Sequence, residues 1–224
     1  KVGMVPNGCD LDLFATPAVA WQPDGVGDGD FMAVFAGTHG MANGLDAVLD
    51  AAAVLLQRGR GDVKIVLIGN GMLKPGLIAR AEREGLRNVV FLDPVSKRDL
   101  AGLLERADVG LQVLANVPAF YYGTSPNKFF DYIAAGLPVL NNYPGWLADL
   151  IDQTGCGIAV APADPQAFAG ALIAMADDRG AVKTMGERGA ALARERFARD
   201  LLAQQWAEWV EGVDPGGAAQ TGHP

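Results

Sequence analysis

The 224-residue chain is long enough to bury a core without disulfide or metal support, and a composition that is half apolar and only 20% charged excludes a disordered protein. Eighteen Lys and Arg against 26 Asp and Glu leave a net charge of -8 with no basic cluster, a balance that repels a phosphate backbone, so no nucleic-acid partner is expected. No apolar run is long enough for a membrane span and no signal peptide is read, so a cytoplasmic setting is expected, for a longer chain also at the inner membrane face.

Cys9 and Cys156 share no CxxC or repeated spacing and read as reduced, small core residues. His39 and His223 are the only histidines, which leaves no set of metal ligands, and no metal cofactor is expected. The chain opens Lys1-Val2-Gly3 and is expected to be a fragment.

Along the chain, residues 1–30 hold turn-forming Gly and Pro with little periodicity and read as an interdomain linker. From Phe31 short apolar runs alternate with helical periods, the pattern of a doubly wound α/β domain over 31–196. Six strands are predicted at Phe31–Ala36, Val63–Ile68, Val89–Leu92, Val109–Leu114, Pro138–Leu140 and Ile158–Val160, continuous enough in hydrophobicity for a parallel sheet buried on both faces. Leu45, Val48, Leu49, Ala52, Ala53 and Leu56 fall on one face of a helix after the first strand. Ser96 with Asp99 opens a helix that should end near Ala107, Asp164-Pro165 opens another, and Gly136 closes one ending at Ala135. A return helix is expected over 197–212 and a disordered tail over 213–224. The fold class is therefore α/β: a Rossmann-like, doubly wound, mainly parallel six-stranded sheet with helices on both faces.

Several chemistries fail at the residue level. Neither serine, Ser96 or Ser125, lies in G-x-S-x-G, and neither cysteine has local support for pairing with His39 as a nucleophile. Phosphate binding fits better, because two strand ends run into glycine loops that open helices. The first is Gly37-Thr38-His39-Gly40-Met41-Ala42-Asn43-Gly44. The second, Gly69-Asn70-Gly71, begins a dinucleotide fingerprint whose last glycine is replaced by Lys74. A tight αβ turn is the competing reading for both loops, and an NAD-dependent oxidoreductase or epimerase and a non-catalytic nucleotide-binding module are the rival functions. In the stretch from Tyr121 to Val139 a polar loop enters a helix whose Lys128 and Asp131 lie at i and i+3, a cation and a carboxylate beside a phosphate-ready terminus; an ordinary surface salt bridge is the alternative.

The run Pro126-Asn127-Lys128-Phe129-Phe130-Asp131-Tyr132-Ile133-Ala134-Ala135-Gly136-Leu137-Pro138-Val139 resembles the donor-site signature of retaining glycosyltransferases of the GT-B fold. Val5-Pro6-Asn7-Gly8-Cys9-Asp10 is similar to that family's V-I-P-N-G-V-D, and the likeness spans roughly residues 2–210. The resemblance implies that Asp131 stands at the second glutamate of the family's motif and holds the ribose hydroxyls. Gly123 stands at the first, so amides near Thr124, Ser125, Pro126 and Asn127 would replace its contact to the sugar. Thr38, His39 and Asn43 replace the family's loop Arg and Lys, with Gly37, Gly40, Gly44 and Gly69 as backbone contacts and Lys128 taking more of the diphosphate charge. Pro94 and Val95 would meet the base. The implied function is transfer of a sugar, an N-acetylated hexosamine or amino-deoxyhexose, from a UDP-sugar to a lipid-linked saccharide acceptor in O-antigen or capsule assembly. The implied partner is an N-terminal acceptor domain, and no cofactor is called for beyond the donor substrate.

Overall fold

The computed structural model describes residues 6–16 and 18–212. The expected tail at 213–224 lies outside the described residues. Six parallel strands, β1 (Phe31–Ala36), β2 (Val63–Ile68), β3 (Val89–Leu92), β4 (Val109–Gln112), β5 (Val139–Asn141) and β6 (Gly157–Ala159), form one sheet in the order β3-β2-β1-β4-β5-β6. Alternation along β1 divides the core: Phe31, Ala33 and Phe35 enter one buried layer, Met32 and Val34 the other.

The expected boundaries of the last three strands shift, for local reasons. β4 stops at Gln112 instead of Leu114 because the Asn142 side chain takes over the pairing, its Oδ1 accepting from Leu114 N at 2.9 Å and its Nδ2 donating to Leu114 O at 3.3 Å. β5 begins after Pro138, which has no N–H to contribute. β6 begins at Gly157, where a Cβ would overlap the Val139 carbonyl.

Helices cover both faces. Asp10 caps the short α1 (Leu11–Ala15) inside the segment expected to be a linker, and that segment is tied down. Cys9 N donates to Phe197 O at 2.8 Å and Arg199 N to Cys9 O at 3.0 Å, with the Cys9 side chain buried. Cys156 is buried too, and both thiols are free. In α2 (Asp46–Gln57) the buried face is wider than predicted. Ala51, Val54 and Leu55 are buried whereas Ala53 and Leu56 are only partly so, because α8 (Pro165–Asp177) packs against α2 from outside. Between them come α3 (Lys74–Glu84), α4 (Lys97–Leu104), α5 (Pro118–Tyr121), α6 (Asn127–Ala134) and α7 (Trp146–Thr154).

Ser96 Oγ caps α4 by accepting from Asp99 N at 3.1 Å, and the helix ends at Leu104, short of Ala107, where the chain tightens into turns. Asp164 caps α8, and Gly136 follows α6 at φ 75°. α9 (Arg179–Leu192) leads through a π-turn to α10 (Arg199–Glu211), a helix within the 197–212 segment, with Trp206 and Trp209 exposed.

Gly110 in β4 faces the ring of fully buried Tyr132, and a Cβ there would overlap it. Gly110→Ala is expected to cost about 1–3 kcal/mol through overpacking. Gly76→Ala, at an open helical position, should be neutral or gain up to about 1 kcal/mol. Urea midpoints of the two variants check the contrast, and equal midpoints would contradict it.

Candidate functional site

A cavity of about 580 Å³ opens at the C-terminal ends of the strands, beside the point where the sheet order reverses between β1 and β4. Its floor is the two glycine loops, which meet backbone to backbone. A Cβ on Gly69 would overlap the Gly37 carbonyl, and one on Gly71 would overlap the His39 backbone. His39 N donates to Asn70 O at 2.9 Å and Leu73 N to His39 O at 3.1 Å. These glycines are explained by the crossing of the loops. Lys74, at the position of the absent third glycine, is buried and donates to Gly69 O (2.9 Å), Leu92 O (2.8 Å) and Asp93 Oδ1 (2.7 Å), joining the ends of β2 and β3. That ammonium holds the Asp93 carboxyl below its ordinary pKa.

The charged side chains at the cavity come from α6 and α4. α6 is anchored by Phe129, Phe130, Tyr132 and Ile133, all buried, and Tyr132 Oη accepts from Ala36 N at 2.9 Å. That anchoring presents Lys128 and Asp131 to the cavity. Lys128 Nζ lies 4.7 Å from the centre of the Phe35 ring and donates to Asn43 Oδ1 at 3.3 Å, while Asn43 Nδ2 donates to Thr38 O at 2.7 Å. No carboxylate among the described residues is within ion-pair distance of Lys128, and burial pushes its pKa down to about 8. Lys128 and Asp131 do not form the i,i+3 salt bridge that is the alternative reading of this helix. Asp131 Oδ2 instead accepts from Lys97 Nζ at the start of α4.

Ten of the predicted residues line this cavity: Gly37, Thr38, Asn43, Gly69, Pro94, Val95, Pro126, Asn127, Lys128 and Asp131. The others stand elsewhere. His39 is buried beneath the loops between Phe35 and Phe91, with neither ring nitrogen hydrogen-bonded. Gly40 precedes a single 3₁₀ turn, Met41–Asn43, which Gly44 closes at φ 56°, pressed against Ala115 and facing a separate cavity of about 250 Å³. Gly123 stands open to solvent. Thr124 O accepts from Trp146 Nε1 at 2.9 Å and Ser125 O from Asn7 Nδ2 at 2.7 Å, so both residues support the loop from outside the cavity. Sequence reasoning missed Leu100 and Lys97, and reached Asn70 only as part of the second glycine loop. The available signal for Lys97 was a cation in a first helical turn, where acidic residues are favoured.

Residues 30–178 match the family described as glycosyl transferases group 1. The chain belongs to that family. It is 31% identical over 226 residues to a D-inositol 3-phosphate glycosyltransferase of Streptomyces avermitilis, covering 93% of this chain and 46% of that protein. Its fold is similar to Anabaena Alr3699/HepE in complex with UDP-glucose, with TM-score 0.75, 19% identity, 93% of this chain and 57% of that one covered. It is also similar to the C-terminal domain of the group 1 glycosyl transferase LpcC from Francisella tularensis, with TM-score 0.67 and 17% identity over 86% of this chain and all of that one. The chain spans about half the length of the curated relatives it matches. Among the described residues no helix is long and apolar enough to cross a membrane.

Burial and the neighbouring Lys74 ammonium hold the His39 pKa below its ordinary 6.5. The unfolded chain therefore takes up this proton first, and stability falls as pH drops below about 6.5 toward the depressed folded value. Urea midpoints at pH 7.5 and 5.5 should show this loss, and His39→Leu should flatten it. An unchanged slope in the variant would place the acid sensitivity elsewhere.

Proposed function

We propose that this group 1 chain is the donor-binding half of a retaining glycosyltransferase, which moves a sugar from a UDP-sugar to a lipid-linked saccharide acceptor in cell-surface polysaccharide synthesis. An N-acetylated hexosamine or amino-deoxyhexose is the sugar proposed. The observation that carries the donor reading is Lys128: a half-buried cation with no carboxylate partner among the described residues, lining a cavity floored by glycine-loop backbone. Such a site is incomplete until an anion enters it. The UDP-glucose in the similar HepE structure supports a nucleotide diphosphate as that anion.

In the proposed reaction the bond from sugar C1 to the diphosphate oxygen breaks, the acceptor oxygen bonds to C1, and the acceptor proton leaves toward the departing diphosphate. Negative charge grows on that leaving group. Lys128 and Asn127, at the start of a helix with no side-chain cap, line the cavity and are assigned to stabilise it, a preorganised arrangement of the kind that lowers such barriers. Asp131 is assigned to the ribose hydroxyls, and Pro94 and Val95 to the base. The reading calls for no metal ion. The acceptor site is assigned to a second, N-terminal domain, consistent with relatives about twice as long as this chain, and the working location to the cytoplasmic side of the membrane.

Asp131→Ala is expected to weaken UDP binding by about 1.5–3 kcal/mol, the range for hydrogen bonds to a charged group, as measured by calorimetric titration with NAD as the control ligand. Binding of NAD but not UDP would overturn the reading in favour of an oxidoreductase.

Lys128→Met separates function from stability. Because the folded pKa lies below the unfolded value of 10.5, the unliganded fold gains stability as pH rises from about 8 to 10.5. At pH 7 the variant should be more stable than the parent, by on the order of 1–3 kcal/mol, and bind UDP more weakly. Weaker binding with a lower melting temperature would mean that the lysine is structural.

A further inference from the structure

Lys97 occupies the first position of α4, directly after the Ser96 cap. A cation there meets the positive end of the helix dipole, so the residue does not serve its helix. With its side chain 59% exposed, its ion pair to Asp131 belongs to the class that adds little to stability. The pair instead joins α4 to α6 at the wall of the cavity, and both residues line it.

Asp131 is the inner partner, with its side chain only 16% exposed. Lys97 engages Oδ2, and among the described residues nothing donates to Oδ1. The cavity therefore presents a carboxylate oxygen that only accepts beside an ammonium group that only donates. Each hydroxyl of a vicinal diol does both, donating its proton to one group and accepting from the other. A lone carboxylate leaves the acceptor side of the diol unmet.

We propose that Lys97 and Asp131 together clamp the ribose diol of the donor nucleotide, and that Lys97 is a specificity-determining residue favouring ribonucleotides over 2′-deoxyribonucleotides. This rests on the nucleotide-sugar reading and adds a residue to it. The surroundings suit a nucleotide. Pro94, Val95 and Leu100 give an apolar wall beside Lys97, fit for the flat face of a base. Lys128 stands about one helical turn before Asp131 on α6, which sets the diphosphate end on the other side of the diol.

The test is calorimetric titration of UDP and 2′-deoxy-UDP into the parent chain, Lys97→Met and Lys97→Arg. The parent is expected to prefer UDP by about tenfold or more, the scale of one hydrogen bond to a charged group. Lys97→Met should lose most of that preference with little change in its affinity for 2′-deoxy-UDP, and Lys97→Arg, which keeps charge and donor, should restore much of it. Because Lys97 is largely exposed, both variants should keep the parent melting temperature, so affinities are compared between folded proteins. An equal loss for both nucleotides would overturn the clamp and make Lys97 a general attractor of phosphate. An unchanged preference in Lys97→Met would overturn it by showing that the diol does not sense the ammonium. Equal binding of both nucleotides by the parent would overturn the clamp and leave the nucleotide reading standing, whereas no binding of either would overturn both.

Discussion

The C-terminal edge of the sheet depends on one close approach, the backbone contact between the loop after β1 and the loop after β2. Gly69 and Gly71 permit it, since a side chain on either would overlap Gly37 or His39. Hydrogen bonds from His39 N and Leu73 N then hold the crossing, and the Lys74 ammonium draws in the end of β3 as well. Three successive strand ends become one rigid floor made of main chain. Side chains would only narrow such a floor, so the charged groups of the site must come from another direction.

They come from α6 and α4. Four buried residues lock α6 against the sheet, and the Tyr132 hydroxyl, held by Ala36 N at the end of β1, fixes its rotation relative to the first glycine loop. With the helix fixed, Lys128 has little room to retreat into solvent. Its stem packs beside Gly37 and its ammonium over Phe35, next to a single neutral acceptor. Holding a half-buried cation with so little compensation costs the fold, a cost that an anion entering the cavity would offset. The same packing that disfavours the lone cation would thus favour an anion beside it.

Much of the fold was legible because its signals are local. The strands β1, β2 and β3 match their predicted limits, being continuous apolar runs, and the caps at Ser96, Asp164 and Gly136 depend on residues within a few positions of one another. The helices α1 and α5, of five and four residues, are too short to show a period. In the site, glycines and loop polarity identified the floor, but the direction of each side chain was not legible. His39 reads as a polar loop residue and is turned inward by Phe35 and Phe91, and Thr124 and Ser125 read as anion-binding amides while Trp146 and Asn7 engage their carbonyls. Lys97 meets its partner across 34 positions of sequence, a separation that no window-based pattern spans.

The strand order explains why these distant segments meet. The chain leaves β1 toward β2 and β3 on one side and returns to β4 on the other, so the loops that follow β1 and β4 diverge and leave a crevice between them. The β1 side fills that crevice with glycine backbone, and the β4 side fills it with the first turns of α6. Lys97 reaches it from the start of α4, between β3 and β4. Each element brings one kind of group: backbone without side chains, a half-buried cation, and an ion pair near solvent. A change in any one element can therefore alter ligand preference without rebuilding the other two, because the sheet and not the ligand holds them in register.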